Sequence, residues 1–173
     1  MVDAPPARRR APTLALVVSF VSLALALVSC GLVGLVLVTS DVDLLPVQSK
    51  PVAASAAQVE AVAHVTLPPG TVLLAAAYSN GLETLLSATF RIPTAGRESF
   101  LDSGRFTADL TPGLRPLDAT HNVGGGNLWH PEAATSVSGL AEQEPGPDGT
   151  YRSLMFDLDA PDAITVYLYA LRP

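Results

Sequence analysis

The hydrophobic pattern divides this chain into two unequal parts. Residues 11–40 carry no charged side chain, and the stretch 14–38 is almost continuously apolar, whereas apolar and polar residues alternate in short stretches beyond Asp41. About 20 apolar residues are enough to cross a bilayer core as a helix. We therefore predict a transmembrane helix over 14–38, a linker over 39–57 and a folded domain over 58–173.

Alternation of apolar and polar residues predicts a hairpin at the start of that domain. The stretch 82–92 has one largely apolar face, made of every second residue: Leu82, Thr84, Leu86, Ala88, Phe90 and Ile92. Its other residues are mostly polar, which is typical of a half-buried antiparallel strand. Residues 71–78 are expected to pair with it. Asn80 and Gly81 lie between the two, and Asn-Gly favours a two-residue type I′ turn.

A second β unit closes the chain. Residues 151–159 and 164–171 flank a turn that contains Pro161, and the second stretch alternates in the same way as 82–92. Two hairpins, each with one apolar face, are expected to share a single sheet, because a lone two-stranded ribbon cannot bury that face. Residues 135–143 are expected to add a third strand.

The remaining elements complete an α+β fold. Thr94 is a suitable N-cap residue and predicts a helix over 95–103, with Phe100 and Leu101 directed at the sheet. Residues 60–67 alternate weakly and predict an edge strand. The fold class is therefore α+β, a small two-layer domain with a mainly antiparallel sheet in the order ββα…ββ. The segment 107–130, rich in Pro, Gly and Asn, is expected to be irregular.

Four short motifs carry a resemblance to other proteins. They are FRIP at 90–93, ESFLDSG at 98–104, LWHP at 128–131 and YRSLMFDLDAPDAITVYLYA at 151–170. Over roughly residues 68–173 the chain resembles a set of small, membrane-anchored extracytoplasmic domains of actinobacteria. The resemblance implies the ββα…ββ layout. It implies no catalytic residue, because no activity is associated with that set.

Charge predicts how the chain crosses the membrane. Arg8, Arg9 and Arg10 precede the apolar stretch, and short flanks rich in arginine stay in the cytoplasm. We therefore expect residues 1–13 to be a cytoplasmic tail and the domain to be extracytoplasmic. From Asp41 onward there are fifteen acidic and seven basic residues. Such an acidic domain is unsuited to bind nucleic acid.

The apolar stretch itself holds two further features. Cys30 follows small residues as in a lipoprotein signal, so lipidation at Cys30 is an alternative to an uncleaved helix; the apolar residues after it favour the helix. Small residues also recur every four positions, at Ser22, Ala26, Cys30 and Gly34. Such a face allows two helices to pack closely and predicts a possible homodimer contact, although small residues are common in membrane helices in general.

Candidate chemistry is sparse in the domain. His121 and His130 lie on the irregular segment near Glu132, so they are the candidate metal ligands, but neither has the two-to-five-residue ligand spacing of zinc sites. Gly124 to Gly126 lack the Lys-Ser/Thr that follows a phosphate-binding loop. Trp129 is expected to be a core residue rather than a binding aromatic.

Two classes of function follow from these observations. The first is a non-catalytic interaction or accessory domain that needs no cofactor, is held at the outer face of the lipid bilayer and acts on another membrane or envelope protein. The alternative is an extracytoplasmic hydrolase or metal-dependent enzyme that uses His121 or His130 with a nearby carboxylate. The absence of a recognisable catalytic constellation favours the first class.

Overall fold

The alternating stretches pair side by side in the computed structural model, which describes residues 48–126, 128–146 and 148–173. Within these residues the fold is α+β, with seven strands in one antiparallel sheet. The strands are β1 (Val52–Ala53), β2 (Val72–Ser79), β3 (Thr84–Pro93), β4 (Thr111–Pro112), β5 (Val137–Ala141), β6 (Tyr151–Asp157) and β7 (Ala163–Arg172). Their order across the sheet is β1-β2-β3-β7-β6-β5-β4.

The central pairing of the sheet joins the two predicted hairpins. Strands β3 and β7 pair over ten residues, from Thr84 opposite Arg172 to Pro93 opposite Ala163. The prediction that residues 82–92 and 164–171 share one antiparallel sheet is therefore confirmed. The third predicted strand is also present, as β5, and it pairs with β6.

Two helices cover one face of this sheet. They are α1 (Ala56–Ala63) and α2 (Arg97–Gly104), and the second is preceded by a single 3₁₀ turn, Thr94–Gly96. Phe100 of α2 is fully buried, and its ring centroid lies 5.6 Å from that of Phe90 and 6.2 Å from that of Phe156. The predicted helix and its inward-facing Phe100 are confirmed. Thr94 does not cap the helix, because its hydroxyl donates to the Pro161 carbonyl oxygen.

The predicted edge strand over 60–67 is wrong, and the first half of that stretch, residues 60–63, belongs to helix α1. Ser55 is the N-cap: its Oγ accepts from the Gln58 amide, and its own amide donates to Gln58 Oε1 at 2.8 Å. This capping box fixes the helix start, and Val59 and Ala63, four residues apart, are buried against the sheet.

The described part of the predicted linker, from residue 48 on, is likewise structured, because β1 pairs with β2.

The expected type I′ turn at Asn80 and Gly81 is also not formed. Ser79 pairs with Leu85, so five residues lie between the last paired positions of the two strands, and neither Asn80 nor Gly81 has a positive φ. The reason is the segment before β1. Gln48 forms a β-bridge with Gly81, and the Ser49 amide donates to the Asn80 carbonyl oxygen, so these residues stay extended at the sheet edge.

A buried ion pair joins both helices to the sheet. The Arg152 guanidinium donates through Nε and Nη2 to the two carboxylate oxygens of Glu142, at 2.8 and 2.6 Å. Its Nη1 donates to the carbonyl oxygens of Ala63, the last residue of α1, and Gly104, the last residue of α2. One cation therefore satisfies the C-terminal ends of two helices, where carbonyl dipoles favour positive charge.

A half-buried strand is expected to expose its polar face to solvent, but the polar face of β3 is covered. Ser87 and Thr89 are only 4% and 2% exposed. The irregular segment between β4 and β5 lies over them and over the outer side chains of β6 and β7. This second covered face contains the candidate site.

The described residues contain no helix that is long and apolar enough to span a bilayer. The predicted transmembrane helix over 14–38 lies outside the described residues, as do Cys30 and the small-residue face that includes it.

Replacing Phe90 tests the assignment of the core face. Phe90→Ala should lower the free energy of unfolding by about 3–5 kcal/mol, because it removes a fully buried ring and leaves a cavity beside Phe100. Arg91→Ala, on the same strand but exposed, should cost less than about 1 kcal/mol. Urea unfolding of both variants measures the difference, and equal losses would contradict the register of β3.

Candidate functional site

The second face of the sheet is covered by an irregular stretch of chain, residues 113–136, called here the covering segment. It contributes Leu117, Trp129 and Ala134 to a small apolar cluster with side chains of the sheet. The sheet residues of that cluster are Val137, Met155 and Tyr167, with Tyr169 packed against it. The covering segment is thus held in place by its own apolar contacts as well as by hydrogen bonds.

Trp129 is the largest of these contacts. It is 6% exposed, and its ring meets that of Tyr167 edge-on at a centroid distance of 5.5 Å. The indole Nε1 donates to the Asp118 carbonyl oxygen at 2.8 Å, and the Tyr167 hydroxyl donates to the His130 carbonyl oxygen. Burial raises the pKa of Tyr167, so this hydroxyl stays a donor. The prediction that Trp129 is a core residue is confirmed.

Asp118 organises the first half of the covering segment. Its carboxylate accepts from the Thr120 hydroxyl at 2.5 Å and from the Thr120 amide at 2.8 Å, and its Oδ1 lies 2.9 Å from His121 Nδ1. These bonds, the Thr120 hydroxyl first, lower the pKa of Asp118 to about 2. They also cap the 3₁₀ turn Ala119–His121, so that the His121 ring packs edge-on against Tyr169.

Asp159 holds the other end of the covering segment. From the turn between β6 and β7 its carboxylate accepts the Thr135 hydroxyl at 2.6 Å and the amides of Thr135 and Ser136, each at 2.8 Å. These bonds, led by the Thr135 hydroxyl, lower the pKa of Asp159. The covering segment is therefore attached to the sheet before it enters β5.

The glycine-rich part of the covering segment lies directly on the sheet. The Asn122 side chain accepts from the Gly125 amide and donates to the Gly126 carbonyl oxygen, which closes a tight loop. A Cβ on Gly124 would lie 2.6 Å from the Cβ of Ala77, so only glycine permits this approach to β2. The Val123 amide donates to Ser87 Oγ at 3.0 Å.

Between this loop and the edge of the sheet there is a cleft of about 240 Å³. Its floor is β2, at Ala75 to Ala77, one wall is residues 51–53, and the other is the glycine-rich loop. The described lining residues are Pro51, Val52, Ala53, Ala75, Ala76, Ala77, Ser87, Thr89, Asn122, Gly124, Gly126, Leu128 and Trp129. None of these side chains is ionisable. The cleft exists because its floor carries methyl groups where larger side chains would fill the space.

No protein-family model, curated protein or solved structure matches this chain. The assignment of a site therefore depends on the geometry of the chain itself.

The two candidate metal ligands are not brought into a common site. His121 Nδ1 pairs with Asp118, and His130 Nδ1 lies 3.2 Å from Glu132 Oε1 on the exposed surface. Among the residues the structure describes, no group of three or more His, Cys, Asp or Glu side chains is arranged to hold a metal ion. The alternative function, an enzyme that uses these histidines, gains no support from their positions.

The third histidine forms an ion pair that the sequence did not indicate. His64 has a left-handed conformation at the C-cap of α1, and its Nε2 pairs with the Asp148 carboxylate. Burial raises the pKa of Asp148, but hydrogen bonds from Thr150 and the charge of His64 outweigh this effect and lower it overall. The pair borders a cavity of about 280 Å³ with Ser103, Arg105 and Arg152.

A serine, a histidine and an aspartate in one cavity suggest nucleophilic catalysis, but the hydrogen bonds argue against it. Ser103 Oγ donates to the Phe100 carbonyl oxygen at 2.8 Å and accepts from the Thr66 amide at 2.9 Å. Its proton is thus engaged by the backbone, and the hydrogen bonds of Ser103 within the described residues do not include one to a base. We interpret this cluster as joining α1, α2 and the loop before β6.

The hydrogen bonds of Asp118 predict a specific dependence of stability on pH. Because its pKa is about 2 in the folded chain and about 4 in an unfolded one, its contribution is present above pH 4 and is lost as the pH falls toward 2. Asp118→Asn should therefore destabilise the chain at pH 7 and have a much smaller effect at pH 2. Thermal unfolding followed by the fluorescence of Trp129 measures this.

The matched control is Asp162→Asn, at an exposed turn position. It should leave the unfolding temperature unchanged across the same pH range. A destabilisation by Asp118→Asn that is the same at pH 7 and pH 2 would contradict the electrostatic role of Asp118.

Proposed function

We propose that this chain is a single-pass membrane protein that presents a non-catalytic binding domain outside the cytoplasm, with the cleft beside the glycine-rich loop as its recognition site. The observation that carries this proposal is the composition of the cleft. Its walls are apolar, a few hydroxyl and amide groups line it, and none of its described lining residues is ionisable. Small-molecule sites are typically concave and mostly apolar, with a few polar groups.

The same composition supports binding rather than catalysis. General acid–base catalysis requires a group that gains or loses a proton near the working pH, and nucleophilic catalysis requires a base beside the nucleophile. The hydroxyls of Ser87 and Thr89 have no such base among the described residues of the cleft. The His121–Asp118 pair serves to cap a turn of the covering segment.

The predicted membrane topology supports an extracytoplasmic place for the cleft. The arginines before the apolar stretch favour a cytoplasmic N-terminus, which puts the domain on the outer side. Residues 39–47 separate the predicted helix from Gln48 and reach at most about 30 Å when fully extended. A domain on so short a tether acts on molecules at or near the membrane surface.

Site-specific photo-crosslinking in intact cells tests the proposal. A photoreactive amino acid in place of Leu128, which is 50% exposed and lines the cleft, should yield a discrete adduct of the full-length chain in the membrane fraction. The matched control is the same replacement at Leu82, which is 73% exposed and does not line the cleft.

An adduct at position 128 but not at position 82 is the result that the proposal predicts. Equal adducts at both positions, adducts at neither position, or a chain recovered only from the cytoplasm would each contradict it.

A further inference from the structure

We infer that the cleft binds a small, uncharged molecule that combines an apolar body with one hydrogen-bond-accepting oxygen. This inference depends on the proposed function and adds the class of ligand to it. It comes from the order in which apolar and polar groups follow one another from the edge of the sheet inward.

The outer part of the cleft is apolar. Its rim contains Ala53, which lies opposite Ala77, and Leu128, which is 50% exposed, and its floor contains the methyl groups of Ala75 and Ala77 on β2. Adjacent strands lie about 4.8 Å apart, so the distance from β1 across β2 to β3 is about 10 Å. That length accommodates a single ring or a short aliphatic group. The volume, about 240 Å³, lies near the lower bound of ligand-binding pockets.

The inner part of the cleft carries hydroxyl groups on β3. Ser87 Oγ accepts from the Val123 amide, which orients it and leaves its proton for donation. Thr89 is 2% exposed and borders the cleft, and no other described residue takes part in a hydrogen bond with its side chain. The described residues contain no fully buried side-chain polar atom that lacks a hydrogen-bond partner. A purely apolar ligand in the cleft would cover the hydroxyls of Ser87 and Thr89 without offering them an acceptor, which is costly, so a ligand with an acceptor at this depth is favoured.

The uncharged lining of the cleft argues against ionised molecules with an apolar body and an acceptor oxygen. The described lining residues include no cation or anion to compensate a charged ligand. Transfer of an uncompensated charge into an apolar site is strongly unfavourable. An extended peptide added to the sheet edge is a poorer fit, because β1 spans only two residues and follows Pro51, which lacks an amide donor.

Three probes of similar size separate the effects of the apolar body, the acceptor oxygen and the charge of a ligand: benzyl alcohol, toluene and benzoate. The full-length chain, labelled with ¹³C at alanine methyl groups and reconstituted in lipid nanodiscs, reports binding through the methyl signals of Ala75 and Ala77. Benzyl alcohol should shift both signals with an affinity about 3–10-fold above that of toluene, since a hydrogen bond contributes about that factor. Benzoate should cause no saturable shift.

Two variants test whether the probes bind in the cleft and whether its hydroxyls cause the preference for benzyl alcohol. Thr89→Val combined with Ser87→Ala, which removes both hydroxyls, should abolish the preference for benzyl alcohol over toluene. Ala75→Leu, which fills the floor, should abolish the shift at Ala77 for every probe. The matched control is Ala57→Leu, at an exposed position of α1, which should behave as the unmodified chain does.

Each of the other outcomes overturns the inference. Equal affinity for benzyl alcohol and toluene, or a preference that survives the combined Ser87→Ala and Thr89→Val change, would show that the hydroxyls do not select the ligand. Saturable binding of benzoate would contradict the exclusion of charge. In both cases an adduct at position 128 in cells would still support the proposed function. Absence of any shift together with absence of that adduct would overturn both.

Discussion

The ion pair between Glu142 and Arg152 is the interaction on which the rest of the domain depends. Both side chains are buried, and the guanidinium also stacks on the Phe106 ring at 4.5 Å from its centroid. Arg152 binds the carbonyl oxygen of the last residue of each helix. It therefore holds the C-terminal ends of both helices next to β6. Removing one member of such a pair leaves a buried charge without a partner, which typically costs 3–5 kcal/mol.

This arrangement assigns different roles to the two faces of the sheet. The face under α1 and α2 is closed by large apolar side chains such as Phe90, Phe100 and Phe156. The other face is covered by an irregular segment held at a few points, among them the carboxylates of Asp118 and Asp159. Loops positioned on a rigid sheet are the usual place for binding sites, and the cleft lies where this cover ends.

Part of the fold was predictable from the sequence. The alternation in β3 and β7 predicts their shared face, and the Phe100 helix follows from its position after Pro93. Errors arose where a local signal competed with tertiary contacts. The Ser55 capping box outweighed weak strand alternation, and pairing with Gln48 prevented the turn favoured by an Asn-Gly pair. The cleft could not be predicted, because it joins segments far apart in sequence; only the three adjacent alanines of β2 and the glycine-rich loop gave a signal.

A double-mutant cycle on the buried pair tests most directly whether it holds the domain together. Glu142→Leu and Arg152→Met are measured singly and together in the full-length chain by urea unfolding. Each single change should cost about 3–5 kcal/mol, because it leaves the other charge buried. The double change should cost less than the sum of the two, since no charge then remains without a partner. Strictly additive losses, or single losses below about 1 kcal/mol, would contradict the central role of this ion pair.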